Sequence, residues 1–457
     1  MYFIENENYY FSEFCSSLNI THDVGQGVIN KLLKLKVLEI DFSKFAEKDI
    51  DDLGPKQILK FIYVGVLIVK GINIKILPKY ISEKDMKKPE LVTNHFKDII
   101  ATLFKLQESS KSDDFINEGE LVDNSNLNMI QELINDFNEN GIYLFKNTDK
   151  TKYLSEINWN KTIGQNNPYI IDNIPIYLDI EYFNTRSYQN NLVSEIHVLV
   201  LKECLETLRQ IGFVPKVVTE EIPNLKFLSL EEIGGIDFIL NLLKRELHFV
   251  FESKKVRTLE LLYQYLIREK NSSSKDIIYG VKNYWKVWEE LNKYYFKDNS
   301  SHLIEKYIKK PYWVKNDGAI YNTDRSLEPD IILEDIHGDK ITFIVMDAKY
   351  YKFKLINKKI YKQPGISDII KQQFYSISFK SYLNQFEEIN EMNVLIFPVF
   401  DHEDNIWGTV NFDVFNEENY YKYNEIKILM LNCVALNKAY LNDRQIKSNE
   451  VNTLLML

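Results

Sequence analysis

The chain has 457 residues, of which 45% are hydrophobic and 27% charged, and its formal net charge is −10 at pH 7. This composition is typical of globular domains and supplies enough apolar residues for two or three cores. It excludes a protein coated in basic surface, although a local basic patch could still bind nucleic acid.

The cysteine usage and the N-terminal sequence predict a reducing environment and no secretory signal. The three cysteines, Cys15, Cys204 and Cys433, are far apart and form neither a zinc-ligand spacing nor a disulfide framework. The segment MYFIENENYY lacks the basic and apolar regions of a secretory signal. The longest apolar run, residues 61–69, is about half the length of a membrane-spanning helix. We therefore expect a soluble, cytoplasmic protein with no membrane segment.

The first part of the chain combines a hairpin, a polar stretch and a helical region. Residues 61–69 and 72–78 flank Lys70-Gly71, which predicts a β-hairpin that ends at Pro78. The polar stretch 108–126 has the composition of a loop or linker. Apolar residues three and four apart then predict helices over 193–212, 238–252 and 258–270.

A different pattern follows NSSSKD at 271–276, which predicts a boundary. We predict, in order, a helix at about 277–296, strands near 317–323, 329–335 and 341–350, a helix at 366–384, a strand at 392–400, further strands in WGTVNFDVF and EIKILMLN, and a terminal helix. This order is typical of an α/β domain with a mixed sheet flanked by helices. The predicted fold class is multidomain α/β, or α+β overall, with a β-containing N-terminal domain at 1–155, a helical middle region at 156–272 and the mixed-sheet domain at 273–457.

The stretch PDIILEDIHGDKITFIVMDAKYY, residues 329–351, places charges on two strands that are otherwise apolar. Side chains alternate faces along a strand, so Asp347 and Lys349 project from one face together with Phe343 and Val345. Pairing about the turn at His337-Gly338-Asp339 places residues near 330 opposite residues near 346. Asp330 and Asp347 are therefore predicted to approach one point.

Two close carboxylates repel each other unless a cation lies between them. An oxygen-only site suits Mg²⁺, for which Mn²⁺ can substitute, and both ions accept phosphate oxygens from a substrate. A nearby ammonium, here Lys349, can orient a water molecule or stabilise charge on phosphorus. An exposed turn and an exposed Asp–Lys pair at a strand end are the alternative interpretation of the same residues.

Pro329-Asp330 followed by Asp347-Ala348-Lys349 resembles the motif of the PD-(D/E)XK nuclease superfamily. The resemblance implies a further acidic ligand from the helix before the hairpin, and Glu289, next to Trp288, fits that role better than Glu290. It also implies a Gln or Lys from the helix after the hairpin. Gln372 fits this role, with a solvated helix face as the equal alternative.

The helix after the hairpin and the segment before it carry further predictions. Ser367 or Asp368 is the predicted cap of that helix, and Tyr375 is predicted to pack in the core. The segment 349–363 is rich in lysine and contains no acid. This composition suits contacts with a phosphate backbone, and a solubilising loop is an equal alternative. The candidate DNA-binding residues are Lys352, Lys354, Lys358, Lys359, Lys362 and Lys371, and Lys306, Lys309 and Lys310 could extend the patch.

Several segments in the same order resemble the LlaJI restriction endonuclease family, whose members resemble the nuclease subunit McrC. They are YVGVLIVKGINIKILPKYI, EINWNKTI, YGVKNYWKVWEELNKYYF, EPDIIL, FIVMDAKYY and QPGISDIIKQQFY. The resemblance implies a type II-like restriction endodeoxyribonuclease that cleaves double-stranded DNA in prokaryotic phage defence. It also implies a separate McrB-like AAA+ NTPase partner, engaged by the N-terminal domain, and a methyltransferase encoded nearby.

The sequence agrees with such a division of labour, because it contains no GxxxxGK[ST] phosphate loop. The spacing of Gln372 and Tyr375 departs from that of McrC relatives, which leaves the role of Gln372 open. Two other functions remain: a repair or recombination nuclease of the same superfamily, and a DNA- or partner-binding scaffold with a vestigial metal site.

Overall fold

The computed structural model describes residues 1–41, 58–108, 121–123, 127–143, 145–148, 157, 159–171, 174–180, 185–188, 192–213, 229–271, 276–298, 301–322, 327–352, 354–356, 359–411 and 425–455. The chain forms two compact units. The split unit contains residues 1–122 and 276–457, and the inserted unit contains residues 123–275. The three consecutive domains predicted from the sequence stay a prediction.

Helices and strands alternate along much of the chain, as the predicted fold class requires. The α-helices are α1 (Phe11–Leu18), α2 (His22–Lys34), α3 (Pro89–Glu108), α4 (Leu127–Asn140), α5 (Trp159–Gln165), α6 (Leu192–Ile211), α7 (Leu230–Ile233), α8 (Ile236–Leu247), α9 (Ser253–Asn271), α10 (Tyr284–Tyr295), α11 (Ser301–Tyr307), α12 (Ile366–Ser378), α13 (Lys380–Leu383), α14 (Cys433–Leu441) and α15 (Ser448–Leu455).

The strands are β1 (Tyr2–Ile4), β2 (Asn8–Tyr10), β3 (Leu38–Ile40), β4 (Ile58–Phe61), β5 (Val64–Val69), β6 (Ile72–Leu77), β7 (Leu121–Asp123), β8 (Phe145–Thr148), β9 (Tyr169–Ile171), β10 (Ile174–Ile176), β11 (Thr185–Tyr188), β12 (Ile277–Val281), β13 (Tyr312–Val314), β14 (Ile320–Asn322), β15 (Ile331–His337), β16 (Lys340–Ala348), β17 (Lys354–Ile356), β18 (Lys359–Tyr361), β19 (Glu388–Val399), β20 (Asn405–Val410) and β21 (Ile426–Asn432).

The first sheet of the split unit joins the two separate segments of that unit. Its strand order is β1-β6-β5-β12-β7. The predicted hairpin is confirmed as β5 and β6, and its turn at Lys70-Gly71 has both residues at positive φ. Strand β12 pairs antiparallel with β5, so a strand from the second half of the chain completes a sheet that begins near residue 1.

The helix predicted at about 277–296 is wrong over its first seven residues, 277–283. Residues 277–281 form β12, and only 284–295 are helical. Gly280 faces Gly65 across the strand pair, and a side chain on either glycine would collide with the partner strand's backbone. The segment is apolar because it is buried between strands, and an apolar run of this length does not by itself distinguish a strand from a helix.

The second sheet of the split unit has the order β15-β16-β19-β21-β20. Strands β15 and β20 run antiparallel to their neighbours, whereas β16, β19 and β21 run parallel, so the predicted mixed sheet is confirmed. One face packs on α11, α12 and α13 through an apolar cluster that includes Ile308, Phe343, Val345, Tyr375 and Phe379. This packing fixes the two strands that carry the candidate site.

The inserted unit is mainly helical, as predicted for the middle of the chain. Helix α6 is buried along most of its length and ends at Gly212, which has a positive φ. Two small antiparallel strand pairs also belong to this unit: β8 with β11, which are distant in sequence, and β9 with β10, which are consecutive. Most of the predicted linker at 108–126 lies outside the described residues, but 121–123 form β7, so the prediction of a loop is wrong there. None of the described helices is both long and apolar enough to cross a membrane.

Candidate active site

The β15–β16 hairpin brings the two predicted aspartates together. Ile331 is paired with Met346, and the register continues to His337 with Lys340 around a turn in which Gly338 has a φ of 64°. Asp330 therefore lies one position before the pairing begins, beside Asp347. The backbone N–H of Ala348 donates a hydrogen bond of 2.7 Å to Oδ2 of Asp330. The predicted pairing of residues near 330 with residues near 346 is confirmed.

Asp347 lies at the buried end of β16. Only 2% of its surface is exposed, because it follows Phe343 and Val345 on the face that packs against α12. Its carboxylate forms an ion pair with the ammonium of Lys349, which is two residues further along the same edge. The Nζ atom of Lys349 also lies 3.4 Å from Oδ1 of Asp368. A single ammonium thus faces two carboxylates.

Helix α10 adds a third acid to this region. Trp288 is 1% exposed and anchors the helix, while Glu289 is half-buried beside it. Burial, and next the negative charge of Asp330, raise the pKa of Glu289 to about 8. Glu290 instead forms a half-buried ion pair with Lys293 of the same helix, at 3.2 Å. Glu289 is therefore the acid on α10 whose pKa is raised by the charges of both aspartates.

The pKa values of Asp330 and Lys349 are both raised above their usual values. Burial, and next the charge of Asp347, raise the pKa of Asp330 to about 7. Burial alone would lower the pKa of Lys349, but the charges of Asp347, Asp368 and Asp330 outweigh it and raise the pKa above its usual value. Lys349 is consequently an ammonium at neutral pH, whereas the raised pKa of Asp330 favours the protonated form of that carboxyl group.

This donor set fits a hard divalent cation in its chemistry and its charge. Three carboxylates supply oxygen only, and a cation between them would offset the burial and the mutual repulsion that together raise the pKa values of Glu289 and Asp330. In the described part of the chain, no three Asp, Glu, His or Cys side chains are arranged to hold a metal ion as they stand. The Asp347 carboxylate faces Lys349 in this arrangement.

Gln372 projects from α12 beneath the sheet. It is 1% exposed, and its Nε2 donates to the carbonyl of Val345, 3.1 Å away. Its Oε1 is buried and has no hydrogen-bond partner among the described residues. Tyr375, one turn later, is buried and donates from its hydroxyl to the carbonyl of Glu328, so the prediction of core packing is confirmed.

The candidate DNA-binding lysines occupy different environments. Lys359 and Lys362 are exposed at the β17–β18 hairpin, to which Lys354 also belongs, whereas Lys358 lies outside the described residues. The ammonium of Lys352 donates to the carbonyl of Ile81 at 2.5 Å, and that of Lys371 lies 5.7 Å from the ring centre of Tyr375. Their roles toward DNA stay predictions.

Two contacts at the site were not predicted. Asp368 was considered only as a helix cap, and it does accept a hydrogen bond from the N–H of Gly365, but its other oxygen approaches Lys349. Tyr350 donates from its hydroxyl to the buried carboxylate of Glu5, which also accepts from the N–H of Lys79. The residue after Lys349 is therefore anchored to the segment that follows β1.

Comparison with known proteins identifies the family. A sequence profile described as LlaJI restriction endonuclease matches residues 63–437. The chain belongs to the LlaJI restriction endonuclease family. The membership predicted from the sequence is confirmed, and the chain is accordingly a nuclease-type component of a restriction system.

One relative and two solved assemblies add detail. The Type II restriction enzyme BsuMI component YdjA of Bacillus subtilis (strain 168) is 29% identical over 367 residues, which cover 78% of this chain and 76% of the relative. McrC bound to McrB AAA+ hexamers of Thermococcus gammatolerans matches 99% of both chains at 13% identity with a TM-score of 0.36. The McrBC complex of that organism matches 58% of this chain and 79% of the other at 14% identity with a TM-score of 0.22. These TM-scores are too low to support an inference.

Proposed function

We propose that the chain is the Mg²⁺-dependent DNA endonuclease subunit of a type II-like restriction system and that it hydrolyses phosphodiester bonds with a PD-(D/E)XK site. Asp330, Asp347 and Glu289 would hold the metal ion, and Lys349 would act beside it. The observation that carries the proposal is the convergence of Asp330 with Asp347 at the end of the β15–β16 hairpin, with Lys349 in contact with Asp347. Membership of a restriction endonuclease family supports the reaction class.

The bound cation would supply Lewis-acid stabilisation of the phosphate oxygens in the transition state. Lys349 acts as a cation and hydrogen-bond donor, because its raised pKa keeps it protonated and unsuited to the role of a base. Asp368 restrains the ammonium from the α12 side. Gln372 orients β16 from below through Val345 and leaves one acceptor oxygen for a further donor.

The proposed partners follow from the sequence. Double-stranded DNA is the substrate, and the exposed Lys359 and Lys362 would contact its phosphates. A separate McrB-like AAA+ NTPase would provide nucleotide hydrolysis, since the chain has no phosphate loop, and residues 1–155 would engage it. A methyltransferase encoded nearby would protect host DNA, and the cytoplasm would be the place of action.

The direct test is cleavage of plasmid DNA with Mg²⁺ by Lys349→Ala, with and without the genomic neighbour and GTP or ATP. We expect a loss of about a hundredfold or more, because a preorganised charge at the reacting centre is removed. Lys340→Ala is the matched control, since Lys340 begins the same strand and is exposed. Cleavage by Lys349→Ala at the wild-type rate, with its partner present, would show that the assignment is wrong.

A further inference from the structure

The hairpin of β13 and β14 is unusual because it exposes large apolar side chains on both of its faces. Trp313 pairs with Tyr321 across the two strands, and Val314 pairs with Ile320. Since side chains alternate, Trp313 and Tyr321 lie on one face, and Tyr312, Val314 and Ile320 lie on the other. Each of the five is between 57% and 70% exposed.

Such a hairpin needs a binding partner to account for its composition. An isolated two-stranded ribbon is only marginally stable in water, and exposed apolar patches of this kind mark interaction sites. A flat protein surface would cover one face and leave the other in water. A groove with two walls would cover both faces at once.

The charge around the hairpin favours a polyanion as the molecule that forms this groove. Residues 306–322 contain four lysines, Lys306, Lys309, Lys310 and Lys315, and one acid, Asp317, in a chain whose net charge is −10. Lys315 and Asp317 pair with each other at 2.8 Å at the hairpin tip. Lys309 and Lys310 are exposed directly before β13.

The chain connections of the hairpin limit its distance from the proposed active site. Ile308 packs with Phe343 and Ile332 in the cluster beneath the candidate site. Fully extended, the chain could span at most about 14 Å between Ile308 and Tyr312. It could span at most about 29 Å between Asn322 and Asp330. A duplex bound at Asp330 and Asp347 is therefore within reach of the hairpin.

We infer that the β13–β14 hairpin enters the major groove of duplex DNA next to the cleaved bond, with its aromatic side chains against the bases and Lys309 and Lys310 on the phosphates. The inference rests on the proposed nuclease function and adds a binding element to it. The major groove, about 12 Å wide, admits a two-stranded ribbon, and the thymine methyl groups in it make apolar contacts.

The experiment uses the full-length chain carrying Lys349→Ala, so that bound DNA stays intact. Binding to a mixed-sequence DNA duplex is followed by fluorescence anisotropy over a range of salt concentrations. We expect Trp313→Ala/Tyr321→Ala to weaken binding about tenfold or more, with an unchanged salt dependence, because apolar contacts release no counterions. Lys309→Gln/Lys310→Gln should reduce the slope of log affinity against log salt by about 2.

Dimethyl sulfate protection of guanine N7 identifies the groove. The parent should protect guanine N7 atoms of the bound duplex, and the aromatic double variant should lose that protection. Trp407→Ala removes a 43%-exposed tryptophan from β20 and should retain both affinity and protection. Thermal melts confirm that each variant is folded.

The outcomes separate this inference from the function on which it rests. If the Lys349→Ala parent binds no duplex, both the DNA function and the hairpin's role are wrong. If the parent binds and the aromatic variant binds equally well, or keeps the guanine protection, the hairpin alone is wrongly assigned. A change of sedimentation coefficient caused by Trp313→Ala/Tyr321→Ala would mean that a second copy of the chain covers the hairpin, which also overturns the inference.

Discussion

The two units of the chain each bury an aspartate, and they stabilise it differently. In the inserted unit, Asp136 is 1% exposed and accepts hydrogen bonds from Thr258 at 2.6 Å and Asn140 at 2.9 Å. In the split unit, Asp347 is equally buried, but it faces an ammonium and lies near two other acids. Neutral donors satisfy the first carboxylate within the fold, whereas the second lies among the acids that we propose hold a cation. The difference distinguishes a structural acid from a candidate catalytic one.

Exchanging each aspartate for asparagine should separate the two roles most strongly. Asp347→Asn should reduce DNA cleavage about a hundredfold to a thousandfold, because it removes one oxygen charge from the proposed metal site. Asp136→Asn should lower stability and leave the cleavage rate of the folded protein unchanged. The measurements are plasmid cleavage with Mg²⁺ and urea unfolding of both variants. Equal cleavage rates for Asp347→Asn and Asp136→Asn would contradict the assignment of a catalytic role to Asp347 alone.

Cation binding should depend on pH only at the acids of the split unit. Glu289 and Asp330 must lose their protons before they bind Mn²⁺, and their pKa values are raised to about 8 and about 7. Affinity should therefore increase through this range, by up to about tenfold per pH unit for each displaced proton. Calorimetric titration with Mn²⁺ measures this, and Asp347→Asn is the control that should not bind. A pH-independent affinity would contradict the assignment.

The same pKa shifts affect the stability of the metal-free protein. Folding raises both values, so the folded state binds these protons more tightly than the unfolded chain does. Their contribution to stability is therefore complete at pH values below the usual carboxyl range and is lost as the pH rises through about 7 to 8. Saturating Mn²⁺ should restore stability at the upper end of that range.

The smallest expected effect is on stability and concerns the hydrogen bonds of Asp136. Thr258→Val should destabilise the protein by about 1–3 kcal/mol, because the buried Asp136 loses a hydrogen-bond donor. Urea unfolding measures the loss. Thr453→Val, at an exposed helical position, should change stability by less than about 0.5 kcal/mol. A Thr258→Val protein as stable as the wild type would mean that Asp136 does not depend on that donor.

The sequence predicted those parts of the site that local patterns determine. The alternation along 341–350 and the turn at Gly338 were sufficient to bring Asp330 beside Asp347, because hairpin register follows from nearby residues. The mixed sheet followed from the order of the elements. The roles of Glu289, Gln372 and the lysines stay predictions, because a motif names a residue without determining what it binds.

The parts that were missed depend on residues far apart in the chain. Tyr350 and Glu5 are 345 positions apart, and no periodicity in either segment indicates their hydrogen bond. Strand β12 was taken for helix because its pairing partner, β5, belongs to the first hundred residues. Asp368 was interpreted as a cap because that role is local, whereas its approach to Lys349 arises only when α12 packs on the sheet.

The split unit is assembled from two separated lengths of polypeptide, and this has a consequence for its biosynthesis. When a ribosome has made the first 122 residues, β5 still lacks β12, and Glu5 still lacks Tyr350. Both arrive only after the inserted unit has been translated. An incomplete nascent polypeptide would thus lack both the strand pair and the acids of the proposed nuclease site, so the proposed activity could arise only once translation has passed the inserted unit.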